Sequence, residues 1–466
     1  MADVPRDLKS ALAELKELLG AVVVDDLKGE SLLRLSVEVE AYDPLLWLAS
    51  QTPFHREGVV YWRSRDRQLE MAGISAAGKV HDLQEITTAH GVFDCKVISN
   101  PETGAAPQVR LLGAMEFDSG RSTDSNDNWG CLERPGVFVL PQFELCHEAG
   151  RTWLICNVAI DVPNGEEQLA QTVRRVGSLL PTFHIPDETG PTLVERADNP
   201  NRDGWARNIS TLKTHFDKGR VDKVVLAREV ALRLDRPLDP FALMYRLRKR
   251  NRDHHLFMFQ PGPDSVFIGA SPETLYQRKG RNIETESLAG TRPRGSNEAE
   301  DHRLGDELLK SEKDNREHRY VSDMIEDSLS PLCARLERDP APSLRRLPHV
   351  QHLSTEFRGT LNEKTSDGDL LTALHPTPAV CGHPREDAMK VLRELEEFNR
   401  GLYAGPIGWV AADAAEFSVG IRSGLVRGSS LTIYSGAGIV RGSDHEQEWD
   451  EIEQKTAGFF EALKNS

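Results

Sequence analysis

Cysteine is scarce in this chain of 466 residues, and no two cysteines have the spacing of a metal or redox motif. Without a CxxC pair, neither a zinc site nor a disulfide framework is expected to organise the fold. We therefore expect reduced thiols and a cytoplasmic location. The six cysteines are scattered along the sequence: Cys95, Cys131, Cys146, Cys156, Cys333 and Cys381.

Long apolar runs are missing as well. No window approaches the roughly twenty apolar residues that a membrane-spanning helix requires. The first residues, MADVPRDLKSALAELKELLG, form an amphipathic helical pattern with charges of both signs, which is typical neither of a signal peptide nor of an anchor. We expect no membrane partner.

Positive charge is in deficit, because 57 lysines and arginines stand against 73 acidic residues and give a net charge of -16. The excess is spread along the chain rather than gathered in a tail, which argues against nucleic acid or an anionic membrane as a partner. A local basic pocket for an anionic metabolite is still compatible with this balance.

Aromatic residues make up only 6% of the chain, but 39% hydrophobic residues at this length can build a large core. Helical segments are grouped around meandering strands, which predicts an α+β fold with large antiparallel sheets. Residues 183–204 are rich in Pro, Asp and Asn and predict a linker. It separates residues 1–200 from residues 201–466, which we expect to form one intertwined unit.

Two local patterns in the first half give specific predictions. Residues 136–160 alternate and predict a hairpin that turns at residues 148–150. Residues 76–90 predict a helical segment.

The stretch SEKDNREHRYVSDMIED, residues 311–327, predicts a helix capped by Ser311. Glu317 falls in line with its apolar stripe, and a carboxylate on a buried stripe requires a cationic partner. The partner can be a core arginine. Alternatively, Glu317 is a ligand of a hard cation such as magnesium, which prefers oxygen donors.

The last helix repeats this arrangement, with Ser443 and Glu446 predicting a capping box. Glu448 and Glu451 lie on the flank of its apolar stripe, and Lys455 follows Glu451 by four residues. Taken alone, these residues indicate a solvated acidic face with a surface ion pair. Together with Glu317 they become candidates for a magnesium site completed by water and substrate.

Two titratable residues stand at strand ends. Lys223 begins the alternating KVVLAREVAL, where small apolar neighbours can desolvate its amine and lower its pKa. The alternative is an edge-strand lysine that blocks aggregation. Glu273 in GASPETL follows a strand and can act as a general acid if it stays protonated, or it can simply cap a turn or helix.

Arg422 lies in EFSVGIRSGLV, which predicts one alternating strand with Ser418, Gly420, Arg422 and Gly424 on one face. Small neighbours leave space around the guanidinium for a carboxylate ligand. A cross-strand ion pair is the alternative. The nearby SGAGIV offers backbone amides to the same anion.

Together these stretches resemble the motifs of the chorismate-utilising enzymes over roughly residues 200–462. The first 200 residues resemble the menaquinone-type isochorismate synthases more loosely, through GAMEFD and FVLPQFEL. The matching motifs are, in order, KVVLAR, GASPETL, ESLAGTRPRG, SEKDNREHRYVSDMI, HPTPAVCG, YAGPIGW, VGIRSGLV, YSGAGIV and EWDEIEQK.

The resemblance implies a fold like anthranilate synthase component I, with two large antiparallel sheets and helices packed outside. It implies isomerisation of chorismate to isochorismate. Lys223 matches the general base that activates water for attack at C2, and Glu273 matches the acid that protonates the departing C4 hydroxyl. Magnesium is the implied cofactor, with Glu317 and Glu451 as ligands and Glu448 beside the metal.

The resemblance also assigns contacts to the substrate. Gly290 and Thr291 match residues that contact the ring carboxylate. Tyr403, Arg422 and Gly436 match the pocket for the enolpyruvyl carboxylate.

Three positions favour isochorismate synthesis within the family. Ala289 replaces the lysine nucleophile of aminodeoxychorismate synthases, Ala379 replaces the threonine usual in anthranilate and salicylate makers, and Lys223 favours water over ammonia. We therefore expect no obligatory glutaminase subunit, and salicylate synthesis or another chorismate-utilising lyase or aminotransferring activity is the alternative. Ser287 departs from a common proline, from which we expect a small backbone change only.

Overall fold

Strands dominate the architecture of the protein. The computed structural model describes residues 6–24, 27, 30–81, 96–99, 106–121, 128–130, 132, 136–186, 189–346 and 350–464. In the first part of the described chain the strands are β1 (Glu30–Val39), β2 (Val59–Arg63), β3 (Leu69–Val80), β4 (Lys96–Ser99), β5 (Leu111–Met115), β6 (Gly136–Glu148), β7 (Arg151–Asp161) and β8 (Leu193–Asn199).

Further strands follow from residue 223 onward. They are β9 (Lys223–Leu234), β10 (His255–Gly262), β11 (Ser265–Ser271), β12 (Thr274–Lys279), β13 (Asn282–Pro293), β14 (Cys333–Arg338), β15 (Ser343–Arg346), β16 (Val350–Leu361), β17 (Gly382–His383), β18 (Pro406–Val410), β19 (Ala414–Val419), β20 (Ser423–Arg427) and β21 (Ser430–Val440).

The helices lie between and outside these strands. They are α1 (Leu8–Gly20), α2 (Pro44–Ser50), α3 (Gly165–Val176), α4 (Arg202–Asp217), α5 (Pro240–Arg250), α6 (Glu298–Lys310), α7 (Glu312–Leu329), α8 (Asp367–Leu374), α9 (Arg385–Leu395) and α10 (His445–Leu463). Within the described ranges, no helix has both the length and the apolar character needed to cross a bilayer.

The strand pairings form two long antiparallel runs that share β6. One run is β1-β7-β6-β3-β2-β10-β11-β20-β21-β9-β8, and the other is β6-β5-β18-β19-β12-β13-β16. The pairing of β1 with β4 is parallel. The predicted α+β class with large antiparallel sheets is confirmed, and the two runs are joined into one connected set.

The central strands of the first run are buried on both faces, whereas β8 at its end is largely exposed. In β2, Tyr61 packs into one hydrophobic core and its neighbour Trp62 into a second, because successive side chains point to opposite faces. Strand β9 passes from one core to the other along its length, with Leu226 in the core of Trp62 and Leu232 in that of Tyr61. A sheet buried on both sides leaves little freedom to the residues at its strand ends, where the candidate site lies.

The pairings β2–β10, β5–β18 and β8–β9 cross the predicted boundary between residues 1–200 and 201–466, and that division stays a prediction. The linker prediction for residues 183–204 is wrong in part. Residues 193–199 form β8, and α4 begins at Arg202, because pairing with β9 outweighs the local composition.

Other local predictions have mixed outcomes. The hairpin of β6 and β7 is confirmed. The helix prediction for residues 76–90 is wrong at residues 76–80, which belong to β3 and pair with β6, while residues 82–95 lie outside the described residues. Helix α10 is capped by Asp444 rather than by Ser443, since the Asp444 side chain accepts from the amides of Glu446 and Gln447.

A buried ion pair between Arg400 and Glu396 is hydrogen-bonded to the backbone of β9. Arg400 Nε donates to Glu396 Oε2 at 2.9 Å, and Arg400 also donates to the Val225 carbonyl at 2.6 Å. Glu396 Oε1 in turn accepts from the Ala227 amide at 2.9 Å. The side chains of Arg400 and Glu396 are both buried, so each charge depends on the other to offset its lost hydration.

We expect Glu396→Ala to lower the free energy of unfolding by about 3–5 kcal/mol, because it leaves the Arg400 charge buried without its partner. Urea denaturation followed by circular dichroism measures this change. Glu394→Ala is the matched control, since Glu394 is half-exposed, pairs with Arg220 at 3.3 Å and is expected to contribute less than about 1 kcal/mol. Equal losses in the two variants would contradict this role of the buried pair.

Candidate active site

Lys223 is the first residue of β9 and is only 4% exposed. It pairs with His383 of β17 on one side and with Val440 of β21 on the other, so the edge-strand alternative is wrong. A Cβ placed on Gly438 would come within 2.8 Å of Lys223 Cε, which shows that the lysine side chain runs across this glycine. Burial lowers the pKa of Lys223, while Glu317, Glu273 and Glu451 act in the opposite direction.

Glu273 lies between β11 and β12, so it caps no helix. Its amide donates to Ser271 Oγ at 3.3 Å, and its carbonyl accepts from the Val419 amide at 3.1 Å. The pKa of Glu273 is raised to about 7, mainly by burial and also by the charge of Glu286, while Lys223 and Lys455 act in the opposite direction. The carboxyl therefore carries a proton for much of the time at neutral pH.

Glu317, Glu448 and Glu451 form an acidic group contributed by two helices. Glu317 lies on α7, whose Ser311 cap and buried residues Val321, Ile325 and Leu329 agree with the predicted stripe. Burial raises the pKa of Glu317 and of Glu448, and the Glu451 charge raises both further.

Glu451 behaves differently because a lysine faces it. Its carboxylate accepts from Lys455 Nζ at 2.6 Å, and its side chain is 49% exposed. Burial raises its pKa, but the attractions of Lys455, Lys313 and Arg422 together outweigh this, and the pKa is lowered overall. Glu451 therefore stays charged beside two acids that resist ionisation.

The described residues contain no group of three or more histidine, cysteine or acidic side chains that could hold a metal ion by themselves. Two carboxylates, one each from α7 and α10, with water and a ligand completing the shell, are nevertheless a donor set that suits magnesium. A divalent cation bound near Glu317, Glu448 and Glu451 would relieve the repulsion among these carboxylates. The residues present thus fit the predicted ion as partial ligands.

Arg422 does not lie in a continuous strand as predicted. The pattern EFSVGIRSGLV divides into β19, which pairs with β12 and β18, and β20, which pairs with β11 and β21. The chain changes partners at residues 420–422, where Arg422 has a φ of 51°. The predicted shared face of Ser418, Gly420, Arg422 and Gly424 is therefore wrong, because alternation stops at this turn.

The turn nevertheless brings Arg422 to the same place as Tyr403 and Gly436. Arg422 Nη1 donates to the Lys455 carbonyl at 3.2 Å. Burial lowers the pKa of Arg422, whereas Tyr403 and Glu451 raise it. Burial raises the pKa of Tyr403 to about 12, and a Cβ on Gly436 would lie 3.1 Å from the Tyr403 hydroxyl.

Gly290 and Thr291 lie at an irregularity of β13 between Ala289 and Thr291. Gly290 has a φ of 67°, and a Cβ there would lie 3.0 Å from Asp314 Cβ at the start of α7. Thr291 Oγ1 and the Gly290 carbonyl lie 3.0 and 3.1 Å from His352 Nδ1. Burial lowers the pKa of His352 to about 4, so its ring is neutral at physiological pH.

Two residues were underestimated from sequence. Lys455 Nζ donates to the Gly436 carbonyl at 2.9 Å as well as to Glu451, so it links the acidic group to the Tyr403–Arg422 side. Its spacing from Glu451 signals only a surface ion pair. No local signal in the sequence reveals the contacts of His352 with Gly290 and Thr291.

Eight of the ten predicted residues are thus linked by contacts or by the charges they exert on one another. Gly290 and Thr291 are connected to them through His352, on which the charges of Arg422 and Lys455 act. The arrangement combines a desolvated amine, a carboxyl that holds its proton, a group of acidic side chains and a partly buried guanidinium. The fold and these residues define an enzyme suited to acid–base chemistry on an anionic small molecule.

Comparison with known proteins agrees with this class. Residues 17–464 match the family described as chorismate binding enzyme, and the chain belongs to that family. It is 35% identical to isochorismate synthase 2 of Arabidopsis thaliana over 85% of this chain and 71% of that protein. It is 30% identical to isochorismate synthase MenF of Bacillus subtilis over 98% of this chain and 97% of that protein.

Solved structures give the same result. The menaquinone-specific isochorismate synthase MenF of Escherichia coli superposes with a TM-score of 0.83 at 28% identity, covering 98% of this chain and 100% of that one. Anthranilate synthase component I of Streptococcus pneumoniae shares the fold, with a TM-score of 0.64 at 20% identity over 93% of this chain and 92% of that one. The predicted fold type and family are confirmed.

Gly438→Ala is expected to reduce turnover by about tenfold to a hundredfold, because the new methyl group displaces the Lys223 amine. The free energy of unfolding should change by less than about 1 kcal/mol, since the crowded atom is the end of a flexible side chain. Steady-state kinetics and thermal melting measure the two effects.

Gly458→Ala is the matched control, because no atom lies within 4 Å of a Cβ at this position on α10. It should keep full activity and gain about 1 kcal/mol of helix stability. Full activity of Gly438→Ala would contradict the position of Lys223 described above.

Proposed function

We propose that the protein is an isochorismate synthase that converts chorismate to isochorismate with magnesium as cofactor. The proposal rests on two neighbouring residues whose pKa values are shifted in opposite directions. The pKa of Lys223 is lowered and that of Glu273 is raised to about 7, and the charge of each residue affects the other. Family membership supplies the substrate, and the relatives named above are isochorismate synthases.

The reaction replaces a hydroxyl at C4 of chorismate by one at C2. In the proposed mechanism the neutral Lys223 amine takes a proton from water as the water oxygen bonds to C2. The ring double bonds shift, the C4–oxygen bond breaks, and Glu273 donates its proton to the departing hydroxyl. Atoms balance, because one water enters and one leaves, and the base and acid exchange protons with solvent afterwards.

Substrate carboxylates are held at two places in this proposal. Arg422, Tyr403 and Gly436 bind the enolpyruvyl carboxylate, supported by the partly buried guanidinium and the adjacent hydroxyl. Gly290 and Thr291 contact the ring carboxylate. Positioning the dianion between base and acid supplies a large part of the rate gain.

Magnesium, when bound, neutralises the ring carboxylate and fixes its orientation. Glu317 and Glu451 would hold the ion, with Glu448 beside it. Their clustered negative charge supports this assignment, since the Glu451 charge raises the pKa of both Glu317 and Glu448, and the Glu317 charge raises that of Glu448 as well.

We also propose a pathway, a cellular compartment and a set of partners for the reaction. The similarity to menaquinone-specific MenF favours a role in menaquinone biosynthesis. Among the described cysteines, Cys146, Cys156, Cys333 and Cys381 are free, which supports a reducing compartment such as the cytoplasm. We propose no glutaminase subunit, no nucleic acid and no membrane partner.

Purified protein with magnesium is expected to convert chorismate to isochorismate without releasing pyruvate, and chromatography of the products measures this. Lys223→Ala should abolish turnover and leave the circular dichroism spectrum unchanged. Appreciable pyruvate would favour the salicylate synthase alternative, and a changed product in the presence of ammonia or glutamine would favour amino transfer. Retained activity of Lys223→Ala would remove this residue from the base role.

Glu317→Gln is expected to raise the magnesium concentration for half-maximal activity by more than about tenfold, since even outer-shell changes at metal sites have effects of this size. Titration calorimetry with magnesium gives a second measurement that does not depend on turnover. Glu312→Gln, on the exposed first turn of the same helix, is the control and should behave like the parent. An unchanged magnesium response of Glu317→Gln would contradict the ligand assignment.

A further inference from the structure

A second buried carboxylate, Glu286, lies close to Glu273 and is not used by the mechanism above. It stands in β13 and is 8% exposed. Arg65 Nη1 donates to Glu286 Oε1 at 2.6 Å, and Arg345 donates to Oε2. Arg65 comes from the turn between β2 and β3, and Arg345 from β15, so Glu286 is clamped between two distant parts of the chain.

Arg65 also holds the backbone next to Glu273. The same Nη1 donates to the Pro272 carbonyl at 3.3 Å, and Pro272 directly precedes Glu273. One guanidinium therefore connects the Glu286 side chain to the peptide that carries Glu273. The remaining backbone groups of Glu273 are held by Ser271 and Val419, so this peptide is fixed from three sides.

The charges around Glu273 come from several elements. Lys223 of β9 and Lys455 of α10 favour its ionised form, and Glu286 of β13 is the acidic side chain that opposes it. A buried negative charge beside a carboxyl makes loss of its proton costly. Without Glu286, only burial would oppose the two lysines.

We infer that Glu286, clamped by Arg65 and Arg345, is a positioning residue that holds the Glu273 peptide through Arg65 and places a negative charge near the Glu273 carboxyl. This inference rests on the proposed acid role of Glu273. It assigns to the turn between β2 and β3 a part in the chemistry, although Arg65 belongs to none of the motifs that carry the family resemblance.

Glu286→Gln tests the inference by removing the charge at nearly constant shape. The alkaline limb of the pH profile of kcat/KM, where the acid must be protonated, should move to lower pH by about one unit. Activity should then fall about tenfold above the limb and stay near that of the parent below it. Glu286→Asp keeps the charge and changes the shape, so its limb should remain near that of the parent.

The pair of variants separates charge from packing, because a merely structural role predicts the larger effect for Glu286→Asp. Glu356→Gln is the matched control, since Glu356 pairs with Glu286 across β13 and β16 but is not among the charges that act on Glu273. An unmoved limb in Glu286→Gln, or an equal shift in Glu356→Gln, would overturn the inference.

Arg345→Gln keeps the inference testable if Glu286→Gln does not fold. It leaves Glu286 with less compensating charge, so the limb should move to higher pH, and a limb that stays or moves to lower pH would overturn the inference. Titration of the Glu273 carboxyl by NMR of ¹³C-labelled glutamate, identified with Glu273→Gln, gives the same readout without turnover. If the parent protein makes no isochorismate, only the proposed function is overturned, because the NMR titration still tests the effect of Glu286 on Glu273.

Discussion

The site depends on keeping one amine out of water. Lys223 is buried between two paired strands, and an ammonium in such a place must either be surrounded by opposite charge or give up its proton. Glu273, Glu317 and Glu451 approach it from three different elements. The burial that lowers the pKa of Lys223 also raises that of Glu273, so one desolvated region moves a base and an acid toward neutrality from opposite sides.

Helices α7 and α10 can deliver carboxylates to this region because buried polar contacts fix them on the sheet. The hydroxyl of Ser287 in β13 lies 2.8 Å from the hydroxyl of Ser322 in α7. Arg228 stacks 4.3 Å above the ring of Trp449 and pairs with Glu453 at 2.6 Å, which holds α10. Such support matters because a positioned metal or proton donor tolerates little displacement.

Features with local signals were predictable from the sequence, and features that depend on pairing between distant strands were not. Helix α7 was predictable because its Ser311 cap and its apolar stripe belong to one continuous run of residues. The break at Arg422 was not, since the two halves of EFSVGIRSGLV alternate correctly and only their different partners end the strand. Likewise, the spacing of Lys455 from Glu451 predicts their ion pair, but not the contact with the Gly436 carbonyl.

The same distinction explains why the first half of the chain gives so weak a sequence signal. Its strands pair with later ones at β2–β10 and β5–β18. Such pairing requires side chains of alternating polarity and suitable volume rather than particular residues. Arg65 is an exception with a specific contact, because it reaches Glu286 and the Pro272 carbonyl from a turn of that half. A change in this turn can therefore alter the proton affinity of the acid while every residue of the matching motifs stays the same. Differences in pH response among such enzymes should then be sought in the supporting half as well as in the motifs.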